Sequence, residues 1–280
     1  MVINITEFKI EALVLCDFCA RHGGGKKWYE NEANFSRTLF ADKETQDFLH
    51  DYFSRSVEKS KQTFEENMQA ASNPALKQIV EPRLQEKYTD YLHHQVVPTE
   101  IAEQIVRIAN RACRFSCICR KRYGDCTKYC VGLGFVPDIA SKYPDYTTGV
   151  EELTVDDATE YIRKLDEERI VHAVSALRVP YVGMMCNCDL RVCSPYRYRV
   201  KLGIKSAMYK SEYVFRIDLD KCNQCGKCRR KCLFGAIKLV RGACSIDKEK
   251  CFGCGMCRTV CETKAIISTL RTDTKINNMW

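Results

Sequence analysis

The sequence contains no apolar run approaching the roughly 18 residues that span a bilayer. Its start, MVINITEFKIEALVLCDF, carries Glu7 and Glu11 and reads as no secretory leader. No dinucleotide-binding fingerprint, phosphate loop or c-type haem attachment motif occurs. The run HGGGKK at 22–27 fails as a phosphate loop: Ala20 stands where its first glycine belongs and Lys27 where Ser or Thr must be. It reads as a flexible basic turn. Cysteine is absent between 31 and 112, and acids are absent between 191 and 210. A composition of 45% hydrophobic and 29% charged residues excludes a largely disordered chain.

Against those absences stand 19 cysteines, grouped at 16 and 19, at 113–130, at 186–193 and at 222–261. An odd number in a 280-residue chain without a leader argues against a disulfide framework. The sequons Asn4-Ile5-Thr6 and Asn34-Phe35-Ser36 then carry no weight. The thiols read as metal ligands in a reducing, cytoplasmic setting. Charge is grouped too. Arg107, Arg111, Arg114, Arg120, Lys121, Arg122 and Lys128 face only Asp125 within 107–131. Six more cations lie in 191–210. This excess reads first as charge balance for anionic thiolate sites, then as a surface for an anionic partner. Nucleic acid is the weakest of the three readings.

Three regions follow: a mainly helical 1–97, a cysteine-rich α/β domain over 98–212, and a ferredoxin-like domain over 213–280. The fold class is α+β. Phe48, Tyr52, Val57 and Phe64 sit in a charged, helical-looking run. Leu84, Tyr88 and Leu92 suggest a helix from 75 to about 95, on which His93 and His94 would point apart and share no ligand role. Ile101, Ile105 and Ile108 mark a helix over 98–112. Thr154 with Asp156 and Asp157 reads as an N-cap and first turn. Ile170-Val171, Tyr181–Met185 and 213–217 read as strands, and a short helix over 195–202 follows a Ser194 cap and stops at Gly203.

The strongest signal is an internal repeat. KCNQCGKCRRKCLFGAI at 221–237 aligns with KCFGCGMCRTVCETKAI at 250–266, and each contains C-x2-C-x2-C-x3-C. That spacing belongs to bacterial-type [4Fe-4S] ferredoxins, in which the fourth cysteine of each run serves the other cluster. Cluster one is therefore expected on Cys222, Cys225, Cys228 and Cys261, and cluster two on Cys251, Cys254, Cys257 and Cys232. The proline usual after the fourth cysteine is replaced by Leu233 and Glu262. Cys244 falls outside both runs and reads as a buried structural thiol.

Upstream, Cys117-Ile118-Cys119-Arg120, Gly124-Asp125-Cys126, Cys130 with Gly132-Leu133-Gly134, Val171-His172 and Cys186-Asn187-Cys188 form a second pattern. Over roughly 97–270 the chain resembles an iron–sulfur family of anaerobic bacteria and archaea. Its members pair such a cysteine-rich domain with a C-terminal two-cluster ferredoxin domain. The resemblance implies an anaerobic redox setting. The chain departs from it at Asp189, Arg191 and Val192, where the family usually carries cysteine.

From the residues alone, Cys117, Cys119, Cys126, Cys130, Cys186, Cys188 and Cys193 are candidates for a third metal site, an iron–sulfur cluster or zinc. Unligated or redox-active thiols are the alternative, and spacing does not select four of them. Cys16 and Cys19 do not complete a site. The leading expectation is an electron-transfer protein or subunit of a larger complex. Its redox partner protein would dock near Arg229 and Arg230. The alternative is an oxidoreductase whose upstream site is a catalytic metal centre fed by the two clusters.

Overall fold

The computed structural model describes residues 16–240 and 242–271; the leader reading and the Asn4 sequon lie outside them. Its centre is a six-stranded antiparallel sheet in the order β1-β5-β6-β3-β2-β4. The strands are β1 (His94–Val96), β2 (Ala112–Phe115), β3 (Cys130–Leu133), β4 (Glu151–Leu153), β5 (Val171–Ala176) and β6 (Val182–Cys188). Side chains alternate across each strand, so each strand feeds two cores. Ile105, Val106 and Ile162 of the helices Thr99–Ala109 and Val155–Glu167 pack on the face bearing Val131, Val174 and Met185. Thr154 caps the second helix as expected, its Oγ1 accepting from the Asp157 amide at 3.1 Å, a contact worth about 1 kcal/mol. The opposite face carries Phe115, Cys130 and Met184, and Phe53, Phe64 and Tyr88 of the N-terminal helices cover it.

Several elements differ from the sequence reading. The helix expected to reach residue 95 spans Pro74–Glu86 and ends in a wide turn over Lys87–Tyr91. His94 opens the strand β1 and His93 directly precedes it, and neighbours along an extended chain point to opposite faces. His93 stacks on Phe18 at 3.7 Å between ring centroids, whereas His94 faces the other way. The helix expected over 98–112 stops at Ala109 because Asn110 turns left-handed, φ 56°, and Ala112 begins β2. Ser194 is not the cap of its helix: Cys193 holds that position and Gly203, φ 77°, ends the following turn. The turn at 22–27 is tied down at its end, since buried Lys27 donates to the Tyr213 hydroxyl at 2.8 Å.

The C-terminal part consists of two antiparallel ribbons. One joins β7 (Tyr213–Ile217) to β10 (Ile266–Leu270), the other β8 (Ile237–Val240) to β9 (Ala243–Ile246). The register repeats the sequence offset: Ile217 pairs with Ile266, and Ile246 with Ile237. Asp218 donates its amide to the Ala265 carbonyl and Asp247 to that of Ala236, both at 2.8 Å. The short helices Lys227–Lys231 and Met256–Thr259 each start from a left-handed glycine, Gly226 or Gly255. Gly253 is the tightest point, because a Cβ there would lie 2.1 Å from the Tyr213 carbonyl oxygen at φ +74°. Gly253→Ala is expected to lower the thermal midpoint and loosen the 251–257 loop. Gly235→Ala, at φ +63° with open space around it, should cost only the left-handed strain of about 1–2 kcal/mol. Equal losses in a thermal melt of the two variants would contradict this account.

Candidate metal centres

Each ribbon flanks a small cavity. Cys222, Cys225, Cys228 and Cys261 line one, together with Cys244. Cys251, Cys254, Cys257 and Cys232 line the other. Each loop's three cysteines therefore share a cavity with the fourth cysteine of the other run. The cause is topological: the helix after each loop ends beside the opposite ribbon, delivering Cys232 and Cys261 across. Amides also reach these sulfurs. Ala236 donates to Cys232 Sγ and Ala265 to Cys261 Sγ, each at 3.3 Å. Such bonds stabilise charge on a cluster thiolate. Burial pushes the Cys254 thiol up to about 12. Cys244 is buried, as expected, but it also contacts Cys228 at the cavity wall.

The cations of the motifs divide. Lys227 pairs with Glu262 and Arg258 with Glu100. Lys231 Nζ donates to the carbonyls of Asp166 and Glu167, at the C-terminal end of the helix Val155–Glu167, at 3.2 and 3.3 Å. Arg229 and Arg230 stand exposed.

The upstream cysteines converge on a cavity of about 120 Å³ beneath the N-terminal helices. Cys117, Cys119, Cys130, Cys186, Cys188 and Cys193 line it. Sheet register explains much of this. Cys130 and Cys186 are direct cross-strand partners, and Cys186 and Cys188 share a face of β6 by its two-residue period. Cys117 contacts both Cys119 and Cys130. Cys126, expected with the rest, is exposed and is not among the lining residues. It follows Asp125, which Arg120 holds. Cys113, one residue pair along β2, points into the N-terminal core, and burial raises it to about 12. Cys16 and Cys19 lie away from the cavity, the Cys19 amide reaching Cys16 Sγ at 3.4 Å.

Two lining residues were not anticipated. His94 enters from β1, its Nε2 3.8 Å from Cys188 Sγ, and burial lowers its imidazole to about 4. Ser194 places its hydroxyl 3.3 Å from Cys119 Sγ. The alternation of a strand would have separated His94 from His93, but three residues after a helical pattern carry little strand signal. Arg122 also lines the cavity. Burial opposes its charge, and the neighbouring Cys119 is foremost among the groups that raise it.

A single apolar cluster joins this chamber to the C-terminal part. It contains Cys188, Cys193, Met208 and Met256, with Phe252 and Cys254 packed against it. Cys254 belongs to the second of the two C-terminal cavities. The two sets of thiols are thus separated by packed side chains of one core.

Among known proteins, a 4Fe-4S binding domain family matches residues 245–267, which include Cys251, Cys254, Cys257 and Cys261. No curated protein and no solved structure matches the chain. The matched segment is an iron–sulfur cluster-binding segment, and it indicates an electron-transfer role.

The positions where the chain departs from the resembling family have their own structure. Arg191 grips Asp189 at 2.6 Å, and Asp189 also accepts from Arg120 at 3.2 Å. Arg120 is buried against the Tyr129 ring, 4.0 Å from its centroid. Asp189→Ala should therefore destabilise the protein by about 2 kcal/mol, less than a fully broken buried pair because Asp125 remains on Arg120. Arg191→Ala should cost less than Asp189→Ala, since its side chain is 86% exposed and its ion pair is screened by solvent. Chemical denaturation of both variants measures the difference, and equal costs would contradict it.

Proposed function

We propose that this chain is an electron-transfer protein or subunit that carries two [4Fe-4S] clusters and passes single electrons between a docked partner and its own upstream chamber. Cluster one is assigned to Cys222, Cys225, Cys228 and Cys261, and cluster two to Cys251, Cys254, Cys257 and Cys232. The observation that carries the reading is the division of eight cysteines between two cavities, each with three from one run and one from the other. The apolar cluster linking Cys254 to Cys188 and Cys193 supports the direction, with cluster two nearer the chamber. The clusters supply one-electron oxidation and reduction, and the chain's part is to hold, shield and tune them. Amides on Cys232 and Cys261 and the cations of the motifs favour the reduced, more anionic state.

A second reading is an oxidoreductase with catalysis in the chamber. A cavity lined by thiols and Arg122 favours it. Substrate-dependent turnover with an artificial reductant and the purified chain distinguishes an enzyme from a carrier.

The first reading makes two predictions. Anaerobically purified protein should hold about eight iron atoms or more, and Cys232→Ser should damage the cluster on the 251–257 loop. Paramagnetic resonance of the reduced variant reports which signal is lost, and loss of the 222–228 signal instead would reject the crossed assignment. Reversing charge with Arg229→Glu and Arg230→Glu should leave iron content unchanged and slow reduction by the physiological donor. The slowing should be greatest at low salt, where the unscreened attraction is strongest. A rate equal to that of the unaltered protein at both low and high salt would remove these arginines from docking.

A further inference from the structure

Among the described residues, one group of three ligating side chains stands closer together than either ferredoxin quartet. His94, Cys188 and Cys193 have their ligand atoms all within 4.8 Å of one another, and all three residues are buried. The ferredoxin cysteines form no group so close, as expected if each quartet must straddle a cluster. Donors to one ion behave differently. Metal–sulfur bonds of about 2.3 Å and metal–nitrogen bonds of about 2.0 Å put the corners of a tetrahedron roughly 3.5–3.8 Å apart. The sulfur–nitrogen edge is the shorter, about 3.5 Å, and the 3.8 Å between His94 Nε2 and Cys188 Sγ lies close to it.

We propose that His94, Cys188 and Cys193 hold a single zinc ion whose fourth position opens on the chamber. Two thiolates and an imidazole are a zinc donor set, and three protein ligands leave one exchangeable position. The three arrive on different supports. His94 stands on β1 and Cys188 at the end of β6, two strands separated by β5. Cys193 is at the cap of the next helix. Asp189 accepts the Cys193 amide on its carbonyl at 2.9 Å, which closes the turn between the two cysteines. Cys117, Cys119, Cys130 and Cys186 lie outside the close group and remain available to a cluster. The zinc site shares no ligand with either ferredoxin quartet, so the metal content of each can be counted separately.

The test uses the full chain, purified anaerobically and washed with a mild chelator, with zinc and iron counted separately. About one zinc per chain is expected. X-ray absorption at the zinc edge should show two sulfurs, one imidazole nitrogen and one further light donor. His94→Ala and Cys188→Ser should each lower zinc at least tenfold while iron stays at the level of the unaltered chain. Zinc below one-fifth of an equivalent in the unaltered chain, an all-sulfur zinc shell, or full zinc retention in folded His94→Ala overturns the proposal. The absorption spectrum of the unaltered chain decides even where a core variant fails to fold. Zinc without cubanes would sink the electron-transfer reading alone, and cubanes without zinc would sink this one alone.

Discussion

The pairing of β3 with β6 is the constraint on which the chamber depends. Antiparallel register sets Cys130 opposite Cys186, and the two-residue period of β6 then brings Cys188 to the same face. A slip of one residue would send both β6 cysteines to the face covered by the helices Thr99–Ala109 and Val155–Glu167 and turn the Asn187 side chain to the other side. Asn187 itself guards against that slip. Its side chain carbonyl lies 2.8 Å from His172 Nδ1, and its amide donates to the Tyr129 carbonyl at 2.7 Å. Both bonds form on the face opposite the chamber, so the structural and ligating roles of the segment are interleaved along one strand.

The same interleaving binds the parts of the chain together. The N-terminal segment meets the C-terminal part through Lys27 and Tyr213 and through Tyr29 and Glu212, whose carboxyl burial pushes up. Arg271 crosses back to the carbonyls of Ser211 and Cys251. Lys210, held near 8 by burial beside Arg271 and Arg199, donates to the Glu249 carbonyl. These contacts fix the cysteine loop 251–257 against the central sheet rather than leaving it on a tether.

What was legible in the sequence was local. The doubled cysteine run is readable because three thiols on one tight loop need fixed spacing, and its offset reappears in the strand register. The Thr154 cap and the stripe behind it were equally local. His94 was not legible, because its role comes from β1 joining the sheet through β5, a pairing across about 80 residues of chain. Nor could spacing separate Cys126 from its neighbours: an ion pair at Asp125 precedes an exposed thiol. Asp189 and Arg191 looked like losses from a cysteine pattern, yet they form a bonded pair that anchors Arg120.

The roof of the chamber has a consequence for its electrostatics. Tyr52, Tyr88 and Tyr146 line it beside Arg122 and Lys87, and burial with nearby arginines lowers Lys87 to about 8. Within so narrow a space charges act at lower effective dielectric than in bulk water. Charge that changes in the chamber is therefore met first by the cations that line it, Arg55, Lys87, Arg120 and Arg122. Interactions inside the chamber are screened less by dissolved salt than those of the exposed Arg229 and Arg230.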